Sequence, residues 1–335
     1  MRAVRLNELG GPENLHVEDD VPTPQAAPGE TCVKIVRAAL NRRDVFITQG
    51  LYPGIELPKT LGSDGAGTVA QLGEGVTGLH LGSRVVIDPQ LGWSDSTYHA
   101  SGGSSLLGMP KDGTFAEYVV VPATNVHACP PGLSDDEAAA IPLGGLTAYR
   151  ALFTRGRITK DDVVLITGIG GGVQTFALLF AKHVGARTIV TSSSDEKLER
   201  AKALGADVGI NYKTSDAWQK EVRAASDGGP TLAIESTGGE TLAKVLDIAR
   251  PGARIVIYGG TAGDAKIRPF SIFWKHLDVL GTSMGSPQDF TEMLALFGAG
   301  LRPVVDRVFP MARCAEAAER LLRAEQFGKI VLAVA

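Results

Sequence analysis

Residues 163–185 read VVLITGIGGGVQTFALLFAKHVG. A short apolar run meets a glycine cluster, and apolar residues then recur at helical spacing. A strand that turns through glycines into a helix aims the unpaired N–H groups of the helix N-terminus at whatever lies over the turn. Two readings are open, a phosphate cradle and a plain tight turn. In a dinucleotide-binding turn one glycine permits the reversal, a second lets the backbone approach the pyrophosphate, and a third lets helix and strand pack closely. Gly170, Gly171 and Gly172 cover the first two tasks, but Gln174 stands in the third place. The packing there must differ.

The setting favours the cradle. Beyond the glycines, strand-like and helix-like segments alternate: RTIVTSS (187–193), DEKLERAKALG (195–205), VGINY (208–212), WQKEVRAAS (218–226), TLAIES (231–236), GETLAKVLDIA (239–249) and RIVIYGG (254–260). That alternation predicts a doubly wound parallel sheet, an α/β fold. Upstream the texture is different. TCVKIVRAAL (31–40), GAGTVAQLG (65–73), SRVVID (83–88) and FAEYVVVP (115–122) are β-rich runs bounded by Gly, Pro and Asp, which predicts a small barrel or sandwich. The change comes near residue 125, where Ser134 followed by Glu137 signals a capped helix. Past about residue 288 come helical segments and a closing apolar strand, KIVLAVA, which is expected to return to the first domain. The domains expected are therefore 1–125 with 288–335, and 126–287.

A length of 335 residues suits two domains, and 44% hydrophobic with 21% charged residues is a globular composition. A net charge of −4 offers no footprint for nucleic acid. Cys32, Cys129 and Cys314 lie far apart, which argues against a disulfide framework and fits a reduced, cytoplasmic setting. Charges interrupt the first twenty residues, and no apolar run is long enough to span a bilayer.

An acid at the end of the second strand would hold the ribose 2′-hydroxyl and select NAD. Here that strand ends in Ser192-Ser193-Ser194, while Asp195 and Glu196 begin the next helix. A 2′-phosphate could sit among these hydroxyls with Lys197 as its cation, so NADPH is the expected cofactor. Ser236-Thr237 and Tyr258-Gly259-Gly260 follow later strands, at the edge of the sheet where ligands bind.

ALNRRDVFITQGLYP (39–53), LGSDGAGTVAQLGEGV (61–76), DGTFAEYVVVP (112–122), IPLGGLTAYRAL (141–152), EKLERAKALGAD (196–207), GINY (209–212) and FGKIVL (327–332), with the glycine turn, resemble the medium-chain dehydrogenase/reductase superfamily, and most its zinc-independent quinone oxidoreductase-like branch. The resemblance implies a GroES-like β-barrel catalytic domain, completed by the C-terminal tail, around an inserted Rossmann domain, with substrate and cofactor meeting between them. It places Asn41 and Thr147 near the nicotinamide and Tyr52 at the cleft as a hydrogen-bond or proton donor. Val173 joins the glycines around the cofactor, Lys197 and Tyr212 match positions that approach the 2′-phosphate, and Lys329 is a weaker cofactor contact. Asp44 reads as structural. The segment LDVLGTSMGS (277–286) resembles the family's edge strand that pairs across a two-fold axis, so a homodimer is expected, with a tetramer as the alternative.

Zinc-dependent members of the superfamily carry a Cys where this chain has Asn41, a His-Glu pair where it has Ser63-Asp64, and commonly a Cys or Asp near Leu143. The loop 89–113 has the length of the lobe that binds a second zinc in those relatives, yet it holds no cysteine; a lid, a subunit contact and a passive surface loop are all open for it. No metal is expected. Without a metal to stabilise an alkoxide, the favoured reaction is NADPH-dependent reduction of a quinone or an α,β-unsaturated carbonyl, whose charge spreads into a phenolate or enolate. Two alternatives remain: an alcohol or aldehyde oxidoreductase of the same superfamily, and a cofactor-binding redox sensor or structural protein without turnover.

Overall fold

A computed structural model of the chain describes residues 1–93 and 104–334. The chain divides into two compact units, Met1–Gly144 with Ser286–Ala335, and Gly145–Gly285.

The first unit is built on the long strand Glu30–Ala39. It pairs antiparallel with Asp64–Leu72, with Tyr118–Pro122 and with the closing strand Lys329–Ala333, in the register Val331 to Ala39. Arg84–Ile87, Val126–Ala128 and Val305–Pro310 extend the sheet. Alternating residues of these strands, Val33, Ile35, Val69, Val85, Ile87, Val119 and Val121, are buried in one apolar core with Phe115 and Phe309. The tail therefore returns to the first domain, as the apolar run KIVLAVA implied. Residues 126–144, assigned on sequence texture to the second domain, cluster with the first. Val126–Ala128 pairs with Arg84–Ile87, and the helix Asp135–Ala140 packs on Glu30–Ala39 and Asp64–Leu72. A capping signal marks where a helix starts, not the core it packs on. The cap itself is as read: Ser134 Oγ accepts from Glu137 N–H at 3.2 Å and Glu137 Oε2 accepts from Ser134 N–H at 2.8 Å. In the loop 89–113, Gln90–Leu91 pairs antiparallel with Ser105–Leu106. Its tip, on which the lid and subunit-contact readings depend, lies outside the described residues.

Asp88 ends the strand Arg84–Ile87 and is buried at 1% exposure, with Oδ1 accepting from Gln90 N–H at 2.9 Å. Burial pushes its carboxyl up to about 7, against the Gln90 hydrogen bond that pulls it down. The folded state thus holds this proton more tightly than the unfolded chain does. The resulting stabilisation is complete below about pH 4 and is lost as pH rises toward about 7. Asp88→Asn, which keeps an acceptor for Gln90, is expected to flatten the fall of unfolding free energy between pH 4 and 7 in urea titrations. A slope identical to that of the parent would contradict this.

In the second unit six parallel strands stand in the order Val208–Asn211, Arg187–Ser192, Val163–Ile166, Leu232–Glu235, Arg254–Ile257, Asp278–Gly281. In chain order this is 3-2-1-4-5-6, with the reversal of direction beside Val163–Ile166, where open α/β sheets bind their ligands. The helices Gly172–Val184, Asp195–Ala203, Trp218–Ala225 and Gly239–Ile248 connect the strands. Leu165, Ile189, Ala233 and Ile255 of the strands are buried with Trp218, Val222, Leu242, Val245 and Leu246 of the helices. Among the described residues no helix is long and apolar enough to cross a membrane.

Candidate active site

In the first unit, Asn41 precedes the helix Arg42–Thr48 and is buried, its N–H donating to Asp44 Oδ2 at 2.8 Å. Asp44 thus holds the start of this helix, while its Oδ1 is buried with no hydrogen-bond partner. Burial, partly offset by the Arg43 charge, raises its carboxyl to about 6. The Asn41 amide is held on both sides. Nδ2 donates to Asp64 Oδ2 at 2.9 Å, and Oδ1 accepts from the Lys329 ammonium at 2.7 Å. Lys329 also donates to Asp64 Oδ2 at 2.7 Å and to Leu40 O at 2.8 Å. Leu143 N–H donates to Asp64 Oδ1 at 2.7 Å. Three protein acceptors, Leu40 O, Asn41 Oδ1 and Asp64 Oδ2, therefore take the three ammonium N–H groups of Lys329.

The two consecutive arginines diverge. Arg42 Nη1 donates to Leu321 O at 3.0 Å and Leu322 O at 3.2 Å, closing the end of the helix Cys314–Leu322. Arg43 turns inward. Its Nη1 donates to Ser63 Oγ at 2.7 Å and Leu107 O at 3.0 Å, and its guanidinium lies 4.9 Å over the ring of Tyr52. Tyr52 is half-buried against the same core. Sequence reasoning passed over Arg43, since nothing in RRD tells which of two arginines faces in.

In the second unit the glycine turn links Val163–Ile166 to the helix Gly172–Val184, whose N-cap Gly171 supplies no side chain to its first-turn N–H groups. Gly170 has φ +128°, and a Cβ there would lie 2.9 Å from Lys197 Cδ, so the lysine stem covers the turn. Gln174 folds back: Nε2 donates to Ser236 Oγ at 3.0 Å, and a Cβ at Gly171 would collide with Oε1. The variation in the third place is thus a tie between the helix and the segment after Leu232–Glu235. Val173 sits in the first turn of that helix. Ser192 is buried and its Oγ accepts from Ser194 N–H at 3.2 Å; Ser193 is half-buried. Tyr212 N–H donates to Ser192 O at 3.0 Å while its ring is exposed, so Tyr212, the serines and Lys197 gather at the ends of two neighbouring strands. Ser194 caps the next helix, which Asp195 begins: its side chain accepts from Lys197 N–H at 3.3 Å.

Glu235, which sequence reasoning missed, is fully buried between Ser236-Thr237 and the glycine turn. It accepts from Thr167 Oγ1 at 3.2 Å, Thr237 N–H at 2.8 Å and Gly238 N–H at 3.0 Å, so one carboxylate shapes the loops after two central strands. Gly259 sits with its would-be Cβ 3.1 Å from Ser236 O, and Gly260 is exposed beside it. Burial pushes the Tyr258 hydroxyl up. Thr147, on the helix Pro142–Tyr149, is buried with Oγ1 3.9 Å from Met284 Sδ.

Residues 27–131 match the family model described as alcohol dehydrogenase GroES-like domain, and residues 172–299 match that described as zinc-binding dehydrogenase. A zinc-type alcohol dehydrogenase-like protein, YogA, of Leptosphaeria maculans is 36% identical, over 94% of this chain and 93% of its own. The quinone oxidoreductase of Rattus norvegicus is 28% identical, over 99% of this chain and 97% of its own. The crystal structure of an NAD-dependent alcohol dehydrogenase superposes with a TM-score of 0.93 at 38% identity, covering both chains completely. This chain belongs to the medium-chain dehydrogenase/reductase superfamily. Its GroES-like and Rossmann domains are the first and second units above, and it is an oxidoreductase by that membership.

Membership brings the question of zinc, which the residues present do not fit. Catalytic zinc in a dehydrogenase takes three protein ligands of the thiolate, imidazole or carboxylate kind. This superfamily member offers an amide at Asn41, a hydroxyl at Ser63 and a single carboxylate at Asp64, and that carboxylate already holds the ammonium of Lys329. Among the described residues no group of three His, Cys, Asp or Glu side chains converges.

Proposed function

We propose that this chain is a zinc-independent, NADPH-dependent reductase that passes hydride to a quinone or an α,β-unsaturated carbonyl. The observation that carries the reading is the Lys329–Asp64–Asn41 cluster: one buried cation is fixed among the residues that a metal would need. Acceptors that spread the incoming charge over a conjugated system ask least of such a site. The relative named quinone oxidoreductase agrees with it.

A dinucleotide fits the second unit. The uncapped helix start at Gly171 and the glycine backbone at Gly170, with the Lys197 stem beside it, suit a pyrophosphate. Ser192, Ser193, Lys197 and Tyr212 supply hydroxyls and a cation where a 2′-phosphate would lie, and no carboxylate occupies the end of that strand. When bound, reduced nicotinamide supplies the hydride. The chain's own contribution is placement: Lys329 and Asp64 fix the plane of the Asn41 amide, leaving one N–H of Nδ2 to donate, while Tyr52 offers a hydroxyl from the same unit. Thr147, Ser236, Thr237, Tyr258, Gly259 and Gly260 complete the set read as facing the cofactor. The edge strand Asp278–Gly281, with Val279 exposed and the stacked Phe270 and Trp274 also exposed, supports the homodimer. A cytoplasmic location belongs to the same reading.

The alcohol-oxidoreductase reading keeps a place because relatives at 36% and 38% identity carry alcohol dehydrogenase names. Chelator-treated protein separates the two. NADPH oxidation is expected with a quinone or an enone, and a charge-assisted contact to the 2′-phosphate makes NADH slower by about tenfold or more in kcat/KM. Alcohol or aldehyde turnover by the chelated protein, with little NADPH oxidation by a quinone or an enone, would favour the second reading. Tight NADPH binding without turnover would favour the sensor.

A further inference from the structure

Arg43 is an unfinished interaction. The side chain is buried, and its Nη1 is tied to Ser63 Oγ and Leu107 O, but Nε and Nη2 are buried with no hydrogen-bond partner. A guanidinium has five N–H groups, two on each Nη and one on Nε. Three of them, on Nε and Nη2, are therefore unspent. These two nitrogens form the side-on fork, the edge that takes an oxygen anion with two parallel hydrogen bonds.

Among the described residues no carboxylate hydrogen-bonds it. Asp64 is engaged by Lys329, Asn41 and Leu143. Asp44 Oδ2 accepts from Asn41 N–H and its Oδ1 is buried with no hydrogen-bond partner, so it tempers the Arg43 charge at a distance without occupying the Nε–Nη2 edge. Among the described residues Arg43 makes no ion pair. A buried cation with three unmade hydrogen bonds is costly in a finished core and useful in a binding site. The rest of the group is rigid: the Tyr52 ring covers one face at 4.9 Å, and Ser63, itself bonded to Leu107 O at 2.8 Å, anchors the far nitrogen. Preorganised donors of this kind stabilise charge that develops during a reaction.

We infer that the Nε–Nη2 edge of Arg43 is an oxyanion site that receives the acceptor's carbonyl oxygen as it becomes an enolate or phenolate oxygen. The inference rests on the reductase reading for the identity of the acceptor. Hydride addition forms a C–H bond on the acceptor and moves the conjugated electron pair onto oxygen. Reduced nicotinamide is the two-electron donor; water then protonates the enolate at its α-carbon, or a quinone's phenolate on oxygen, leaving hydroxide. Arg43 provides in this chain the positive charge that a metal provides elsewhere, and it does so with direction. Acceptors with an oxygen conjugated to the reduced carbon are selected; isolated alkenes are not.

The test uses the protein without cofactor and 4-nitrophenol, whose phenolate is coloured. Wild type is expected to bind the phenolate in preference to the phenol, lowering the bound pKa by about one unit or more, a tenfold preference. Arg43→Lys keeps part of that shift and Arg43→Gln loses it, while thermal melts confirm that the variants fold. In turnover, Arg43→Gln is expected to lose about 100-fold in kcat/KM, as for removal of one oxyanion donor. Nitrophenol that titrates when bound as it does free, in wild type alone, overturns the proposal even where a variant fails to fold. Benzoate run in parallel distinguishes the source of the anion: Arg43-dependent binding of benzoate without phenolate assigns the site to a substrate carboxylate and overturns the enolate assignment. Phenolate binding that depends on Arg43, with no NADPH oxidation by any quinone or enone, supports the site and overturns the reductase reading. Turnover with phenolate binding indifferent to Arg43 does the reverse.

Discussion

Lys329→Met is expected to destabilise the first unit by about 3–5 kcal/mol, the usual consequence of removing one partner from a buried ion pair. Lys329 is 2% exposed and Asp64 fully buried, with 2.7 Å between Nζ and Oδ2. Without the ammonium, Asp64 keeps its bonds to Asn41 and Leu143 but is left an uncompensated charge. For a domain of this size the loss corresponds to a fall of about 10 °C or more in Tm. The loss is specific to the charge, and a double-mutant cycle shows it. In Asp64→Asn the charge is gone, so adding Lys329→Met to that background is expected to cost about 2 kcal/mol less than it does in the parent. Equal costs in both backgrounds would mean that the pair is not coupled and that the cluster is ordinary packing. The same variant frees Oδ1 of Asn41, so turnover of the protein that remains folded is expected to drop chiefly in kcat.

Gly170→Val is expected to weaken NADPH binding by about 100-fold, or roughly 2.7 kcal/mol, while lowering stability much less. Gly170 lies at φ +128°, which β-branched residues adopt only with strain of order 1–3 kcal/mol. The new side chain would meet the Lys197 stem, whose Cδ stands 2.9 Å from the Cβ position, and it would occupy the space over the helix start that a pyrophosphate needs. Titration of NADPH fluorescence measures the affinity and a thermal melt the fold. Unchanged affinity would show that this turn only reverses the chain, the second reading that its sequence left open.

The parts of the molecule legible in the sequence are those encoded locally. The alternation from RTIVTSS to RIVIYGG returned as four of the six parallel strands and the helices between them, and the glycine cluster stands at the reversal of strand order. The Ser134–Glu137 cap also appeared as read. What stayed hidden depends on contacts between distant residues. Lys329 meets Asp64 across 265 residues, and no periodicity announces that a lysine in FGKIVL closes a cluster beside Asn41. Arg42 and Arg43 are neighbours of the same type; only the packing of Tyr52, Ser63 and Leu107 sets one at a helix end and turns the other inward. Glu235 looked like the last residue of an apolar strand, and its role appeared once Thr167 was beside it. Gln174, an anomaly in the motif, turned out to be a tether to Ser236.

The central claim is hydride transfer without a metal, and one experiment addresses it directly. Protein shown by elemental analysis to be zinc-free after chelation is incubated with NADPH deuterated at C4 and a conjugated enone, and the product is analysed by mass spectrometry and NMR. The account predicts one deuterium on the β-carbon of the saturated product, formed at a rate that added zinc does not raise. Deuterium that reaches the acceptor only after zinc is restored, or that is found on a carbinol carbon instead, would contradict it.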